Sequence, residues 1–187
     1  MRAQFQHAKS AAATAASALA LTLSLTGCSS EEPQEKTYKI PDNLCGIPVS
    51  KNLIAPLLPP GKNLRVDSSS IVDQKRCTLL IDEKRALLTR STWLPSNTSI
   101  ESVAATEWKI NIIENINPEK SFGYSNKGAL AKITCPDPAS LRHGKMQLFG
   151  AAVMLGEMSR QESDVKEFAT AYADSLATSD GCNRKAK

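Results

Sequence analysis

Five cysteines, at positions 28, 45, 77, 135 and 182, constrain this chain more than any other feature of its sequence. Thiols that join dictate which distant segments must meet, and an unpaired thiol is a liability wherever disulfides form. The compartment is therefore the first question, and the opening residues address it. Arg2 and Lys9 make a positive start, and positions 11–25 carry no charge. That is the layout of an export signal. The uncharged run is rich in Ala, Ser and Thr and falls short of the roughly 20 strongly apolar residues a spanning helix needs. A cleaved leader is expected, not a retained anchor.

Leu25-Thr26-Gly27-Cys28 closes that leader. The four residues resemble the lipobox of bacterial lipoproteins. The likeness implies a diacylglyceryl group on the Cys28 thiol, cleavage just before it, and a mature chain that starts there. Ordinary cleavage after Ala18-Leu19-Ala20 is the alternative and would leave Cys28 a plain thiol. Parity separates the two, because lipid on Cys28 leaves four cysteines that can all pair. One acyl chain binds a bilayer only marginally, whereas two hold a protein there. The expected partner is thus the membrane, reached through lipidated Cys28, and the expected location is the outer face of the cytoplasmic membrane. Positions 1–27 would be the removed signal and 28–38 the lipidated N-terminus and a polar tether. A single domain would span 39–182, and 183–187 would form a basic tail. The tether contains Pro33 and lacks periodicity, so solvated chain is expected there.

Charge excludes one large class of partner. The chain holds 23 Lys+Arg against 19 Asp+Glu, and the leader takes two of the basic residues with it. No run of five or more Lys/Arg occurs, so nucleic acid is not an expected partner. His7 and His143 are the chain's two histidines, which rules out sites built on several imidazoles.

Between tether and tail the patterning alternates in kind. Ser50 can cap a short helix from Lys51 to Leu57, which Pro59-Pro60-Gly61 stops. Asn63 to Ser68 reads as extended. Arg76–Ile81 and Arg85–Leu94 read as a hairpin closed by Asp82-Glu83-Lys84. Thr98-Ser99-Ile100-Glu101 is a capping-box pattern, and Ile100, Val103, Ala104 and Trp108 follow at helical spacing, so a helix is expected from Ser99 to about Ile110. Ile110–Ile116 could be a last turn or a strand. Ser121–Ser125 and Ala129–Cys135 flank Asn126-Lys127-Gly128, a turn in which Gly128 is expected at positive φ. Met146 to Leu155 is apolar almost throughout, the mark of a strand inside the sheet. Val165, Phe168, Ala169, Tyr172 and Leu176 then trace one face of a long C-terminal amphipathic helix, entered at Ser163-Asp164 and ended by Gly181 as its C′ residue. The fold class is α+β: a curved antiparallel β-sheet of about five to six strands with helices packed on it.

Cys45, Cys77, Cys135 and Cys182 allow three pairings. Sequential pairing, Cys45 with Cys77 and Cys135 with Cys182, is the one expected. It would tie an N-terminal helical segment to the first hairpin and the end of the last helix to a middle strand. Each bridge would be worth about 4 kcal/mol in the chain-entropy account, a large share of the roughly 5–15 kcal/mol that holds a domain folded. Zinc is the competing use of four cysteines, but no C-x-x-C pair occurs.

Several stretches carry a likeness. Ile40-Pro41-Asp42-Asn43-Leu44-Cys45-Gly46-Ile47-Pro48-Val49, Leu57-Leu58-Pro59-Pro60-Gly61-Lys62, Arg76-Cys77, Phe122-Gly123-Tyr124-Ser125, Ile133-Thr134-Cys135 and Ala171-Tyr172-Ala173 resemble uncharacterised secreted lipoproteins of streptomycetes and related actinobacteria. The chain also resembles, distantly, small α+β lipoproteins with a PsbP-like fold. That likeness implies a curved antiparallel sheet with helices on its faces and carries over no catalytic residue.

No phosphate-binding, dinucleotide, zinc-protease or serine-hydrolase motif occurs, and no EF-hand spacing of carboxylates. Catalytic, cofactor-binding and metal-ligating residues are therefore expected to be absent. His143 reads as a solvated loop residue, Asp82-Glu83 as a turn, and Glu162-Ser163-Asp164 as a helix cap. Asn97-Thr98-Ser99 is formally a glycosylation sequon but reads as a cap. Trp108 belongs to the helix stripe, whereas Trp93 ends a strand beside Pro95, where a half-exposed ring could mark a contact site. The expected role is a non-enzymatic module of the cell envelope that binds a protein or lipid ligand. Two alternatives stand beside it. A small hydrolase with a carboxylate pair needs a cleft where two acids converge, and a lipid carrier needs an apolar cavity of several hundred Å³ between sheet and helices.

Overall fold

Strands buried on both faces build the middle of the sheet, and the computed structural model describes residues 35–108, 115–119, 121–136 and 145–183. Eight strands and four helices follow in chain order. β1 (Asn43–Leu44) and β2 (Ile47–Pro48) form a small hairpin, and α1 (Lys51–Ile54) runs into a 3₁₀ turn, Ala55–Leu57. Ser50 caps α1 by accepting from the Asn52 N–H, as expected. β3 (Leu64–Ile71), β4 (Gln74–Ile81) and β5 (Lys84–Pro95) form a meander. α2 (Ile100–Val103) precedes β6 (Phe122–Ser125), β7 (Gly128–Ile133), β8 (Met146–Met154), α3 (Glu162–Ala177) and α4 (Asp180–Asn183). The main sheet has six strands in the order β3-β4-β5-β8-β7-β6, every neighbouring pair antiparallel, and it is not closed. The α+β class is the observed one.

Two residues turn the β4–β5 hairpin instead of three. Asp82 and Glu83 both sit in the left-handed region, φ 46° and 65°, and Lys84 already belongs to β5. Paired left-handed residues match the right-handed twist of the strands they join. Asp82 stays there because its carboxylate accepts from the Lys62 and Asn63 N–H groups, which hold its pKa below the usual carboxylate range. At the β6–β7 turn Gly128 keeps an ordinary φ inside β7, contrary to expectation, and Asn126-Lys127 alone closes the turn.

β8 lies between β5 and β7, as its continuous apolar run requires. Its small residues Gly150 and Ala152 let α3 approach closely. A Cβ on Gly150 would stand 2.6 Å from Leu176 Cδ1. Val165, Phe168, Ala169, Tyr172 and Leu176 are all buried on that face. α3 begins at Glu162, one residue before the expected entry, and its N-cap Gln161 makes no side-chain bond. Glu162 and Asp164 in the first turn answer the helix dipole instead. Gly181 is not its C′ residue, because the helix ends at Thr178 and Gly181 falls within α4.

The other sheet face carries a second core, in which Ile100, Val103 and Ala104 pack on Leu130, Phe149 and Ala151. Ser99 caps α2 by accepting from the Ser102 N–H, so Ser102, and not Glu101, takes the capping position. The expected helix through Ile110 is one α-turn followed by a π-turn, Ala104–Trp108. Thr106 donates its hydroxyl to the Ser102 carbonyl (2.7 Å), a back-bond of the kind that bends helices. Positions 109–114 lie outside the described residues.

Both disulfides follow the sequential pairing, with Cα separations of 5.8 Å for Cys45–Cys77 and 5.3 Å for Cys135–Cys182. Cys45 comes from the turn between β1 and β2, not from a helix. Its φ is 54° and that of Gly46 is 98°. The first bridge therefore staples this hairpin to β4, and the second joins the segment after β7 to α4.

Two further ties close the fold. Residues expected in a solvated tether are bound to the domain. The Gly61 N–H donates to Glu35 O and the Thr37 N–H to Gly61 O, Lys36 reaches Ala55 O (2.7 Å), and the buried Tyr38 donates its hydroxyl to Pro59 O. Residues 35–38 thus belong with the domain, ahead of the expected boundary at position 39. Arg160, 5% exposed, donates to three carbonyls, those of Leu57 (3.2 Å), Leu155 (3.1 Å) and Met158 (2.6 Å). It locks the approach to α3 onto the end of the 3₁₀ turn and the end of β8.

Candidate binding site at one end of the sheet

Trp93, Leu148 and Ile133 stand opposite one another on β5, β8 and β7, on the face that α3 covers. The helix packs Leu176 onto Gly150, the neighbouring position of the same face. Beyond it the row ends in a cavity of about 260 Å³, walled by these three side chains with Thr134, Cys135, Met146 and Gln147. Trp93 is half-buried. The Gln147 amide nitrogen is spent on the wall itself, donating to Ile133 O (2.8 Å) and Leu148 O (2.9 Å). The rest of the wall is an indole, three aliphatic or thioether side chains, the Cys135 disulfide and, as its polar member, Thr134. That surface suits an apolar group, and its volume lies just under the roughly 300 Å³ at which small-molecule pockets begin.

Between sheet and α3 the space is far smaller. A cleft bordered by Ser91, Tyr172, Leu176 and the Cys45–Cys77 bridge holds about 20 Å³, room for one water. Tyr172 is buried beside it, and that burial pushes its pKa up to about 12. An acyl chain has no room there.

The acidic residues of interest are engaged elsewhere. Asp82 is held by the Lys62 and Asn63 N–H groups, and Glu83 pairs with Arg65 (3.1 Å), which also holds Asp67 (2.6 Å). Glu162 and Asp164 open α3, and Glu162 accepts from Asn115 (3.4 Å). None of them borders the 260 Å³ cavity. Among the described residues there is no cluster of three His, Cys, Asp or Glu side chains fit to hold a metal ion, and no helix long and apolar enough to cross a membrane. Cys28, His143, the side chain of Trp108 and positions 184–187 lie outside the described residues.

Trp93 is the site residue legible in the sequence. Ile133, Met146 and Leu148 gave no such signal, since their apolar character is explained equally well by strand burial. Arg160 gave none either, being one cation in a polar connection. No family model matches this chain, and no curated protein and no solved structure matches it significantly.

Proposed function

We propose that this chain is an extracytoplasmic lipoprotein, anchored through lipid on Cys28, whose disulfide-stapled domain works as a non-enzymatic binding module of the cell envelope. The observation that carries the reading is the use of Cys45, Cys77, Cys135 and Cys182 in two bonds. Of five cysteines, one is then left over, and it is the one that follows Leu25-Thr26-Gly27. Paired thiols favour an oxidising compartment. The half-buried Trp93 on a largely apolar cavity, with no carboxylate among the described residues of its wall, supports binding over hydrolysis, and a 20 Å³ space under α3 speaks against carriage of a lipid chain. The ligand this cavity fits is an apolar side chain of an envelope protein. The likeness to secreted actinobacterial lipoproteins points the same way.

The test is the intact mass of membrane-extracted protein under non-reducing conditions, together with fractionation of a Cys28→Ser variant. The reading expects diacylglyceryl mass on Cys28, two disulfides, and release of the variant into the medium. An unmodified Cys28, or a variant that stays on the membrane, defeats it.

A further inference from the structure

β3 is an open edge. It keeps unbroken register with β4, from Leu64 opposite Ile81 to Ile71 opposite Gln74, so its alternate backbone N–H and C=O groups point away from the sheet. Proteins usually blunt such an edge with Pro, Lys, a bulge or brevity. β3 has eight residues, no Pro, no Lys and no bulge, its charged side chains Arg65 and Asp67 are paired with each other (2.6 Å), and every position except Leu64 is exposed. Ile71 is 69% exposed and Val66 41%. The opposite edge is treated differently: β6 has four residues, and Ile116 bridges its Gly123. A long row of outward backbone donors and acceptors is complementary to another extended strand.

We propose that β3 pairs antiparallel with β3 of a second copy of this chain, about a two-fold axis at Ser68. Three features select that register. Continuing the sheet requires directly opposed residues to share a face, so the axis must pass through a residue. With the axis at Val66, Ile71 would lie beside Gly61 of the second copy, where Lys36 is already paired and Thr37 already bonded. With the axis at Asp67, two carboxylates would oppose each other, which is destabilising. With the axis at Ser68, β3 pairs from Arg65 to Ile71 and meets neither conflict.

The side chains then complement one another. Asp67 faces Ser69 of the second copy, whose hydroxyl donates to the carboxylate. The aliphatic stem of Arg65 lies over exposed Ile71, its guanidinium still on Asp67. Val66 faces Ser70, and Ser68 faces itself. An axis at Ser69 or Ser70 shortens the ladder, because β3 ends at Ile71. The interface is isologous, so each contact occurs twice.

The test uses the full-length chain with one added thiol at a time and mild oxidation. Ser68→Cys should cross-link to itself. Val66→Cys and Ser70→Cys should not, yet an equal mixture of those two should give the mixed dimer. On the Ser68→Cys background, Ser69→Asp sets two pairs of carboxylates against each other and should cut cross-linking roughly tenfold, while Ser69→Lys should raise it. Ser69 is exposed, so an unchanged thermal unfolding curve for both charge variants separates lost pairing from lost fold. Cross-linking of Ser68→Cys no faster than that of Val66→Cys, indifference to Ser69→Asp, or a wild-type monomer at every concentration in sedimentation would each overturn the proposal.

Discussion

Replacing Arg160 by methionine should destabilise the domain by about 3–5 kcal/mol, what three hydrogen bonds from a charged donor contribute once the desolvation of the guanidinium is subtracted. The figure follows from the contacts. Nε donates to Leu57 O at 3.2 Å, Nη1 to Met158 O at 2.6 Å and Nη2 to Leu155 O at 3.1 Å. Hydrogen bonds to a charged group contribute about 1.5–3 kcal/mol each. Three would exceed the expected loss, and the difference reflects desolvation of a guanidinium that is 5% exposed, which also lowers its pKa. Leu57 O lies at the end of the 3₁₀ turn, where a cation is favoured by the aligned peptide dipoles. Methionine fills similar volume but leaves all three carbonyls without their donor. For a domain of this size, about 2–4 °C is lost per kcal/mol, so Tm should fall by about 10 °C. The assay is thermal and urea unfolding with both disulfides intact. Arg160→Lys should recover only part of the loss, because one ammonium cannot span three carbonyls in the guanidinium's fork. A methionine variant within about 0.5 kcal/mol of wild type would refute the reasoning, for it would mean that water or a small shift replaces all three donors at no cost.

Three other outcomes are expected. Gly150→Val should cost at least 1–3 kcal/mol, about the penalty for overpacking, since even a Cβ would meet Leu176 at 2.6 Å and Ile133 at 3.2 Å; equilibrium urea unfolding reads it, and a neutral result would mean α3 can slide on the sheet. Tyr172 is raised from 10.0 to about 12 by burial, so the stability it carries is complete below its unfolded pKa and is lost as pH climbs from about 10 towards 12, by about 2–3 kcal/mol. Tyr38, raised by burial and then by the Asp82 charge, adds to the same alkaline loss, and Tyr172→Phe should flatten the decline in urea midpoint across that window. Joint Cys135→Ala and Cys182→Ala replacement removes the bridge of sequence separation 47 and should cost about 4 kcal/mol in denaturant unfolding, whereas a cost near zero would place the constraint outside the unfolded chain.

The elements with a strong local period were readable in one dimension. α3 announced itself through Val165, Phe168, Tyr172 and Leu176, and β8 through an unbroken apolar run, because a buried face must repeat with the geometry of its own backbone. The β4–β5 hairpin and the Ser50 cap were legible for the same reason, since each is made by neighbours in sequence. Cysteine number likewise implied that four thiols would pair, though not which segment would bear Cys45. Other features depend on groups far apart along the chain. Arg160 meets Leu57 across a separation of 103 residues, and Glu35 to Tyr38 dock on Pro59 and Gly61 through backbone groups that any residues would present. The π-turn at Ala104–Trp108 replaced a helix whose apolar stripe had looked complete, its second half bent by a hydroxyl that bonds four residues back. The cavity beside Trp93 exists because α3 packs at Gly150 and the last row of three strands extends past it, a matter of where a helix ends over a sheet. Periodicity can say which side chains are buried, but a hollow or an open edge is set by what fails to arrive from elsewhere, and no local pattern encodes that.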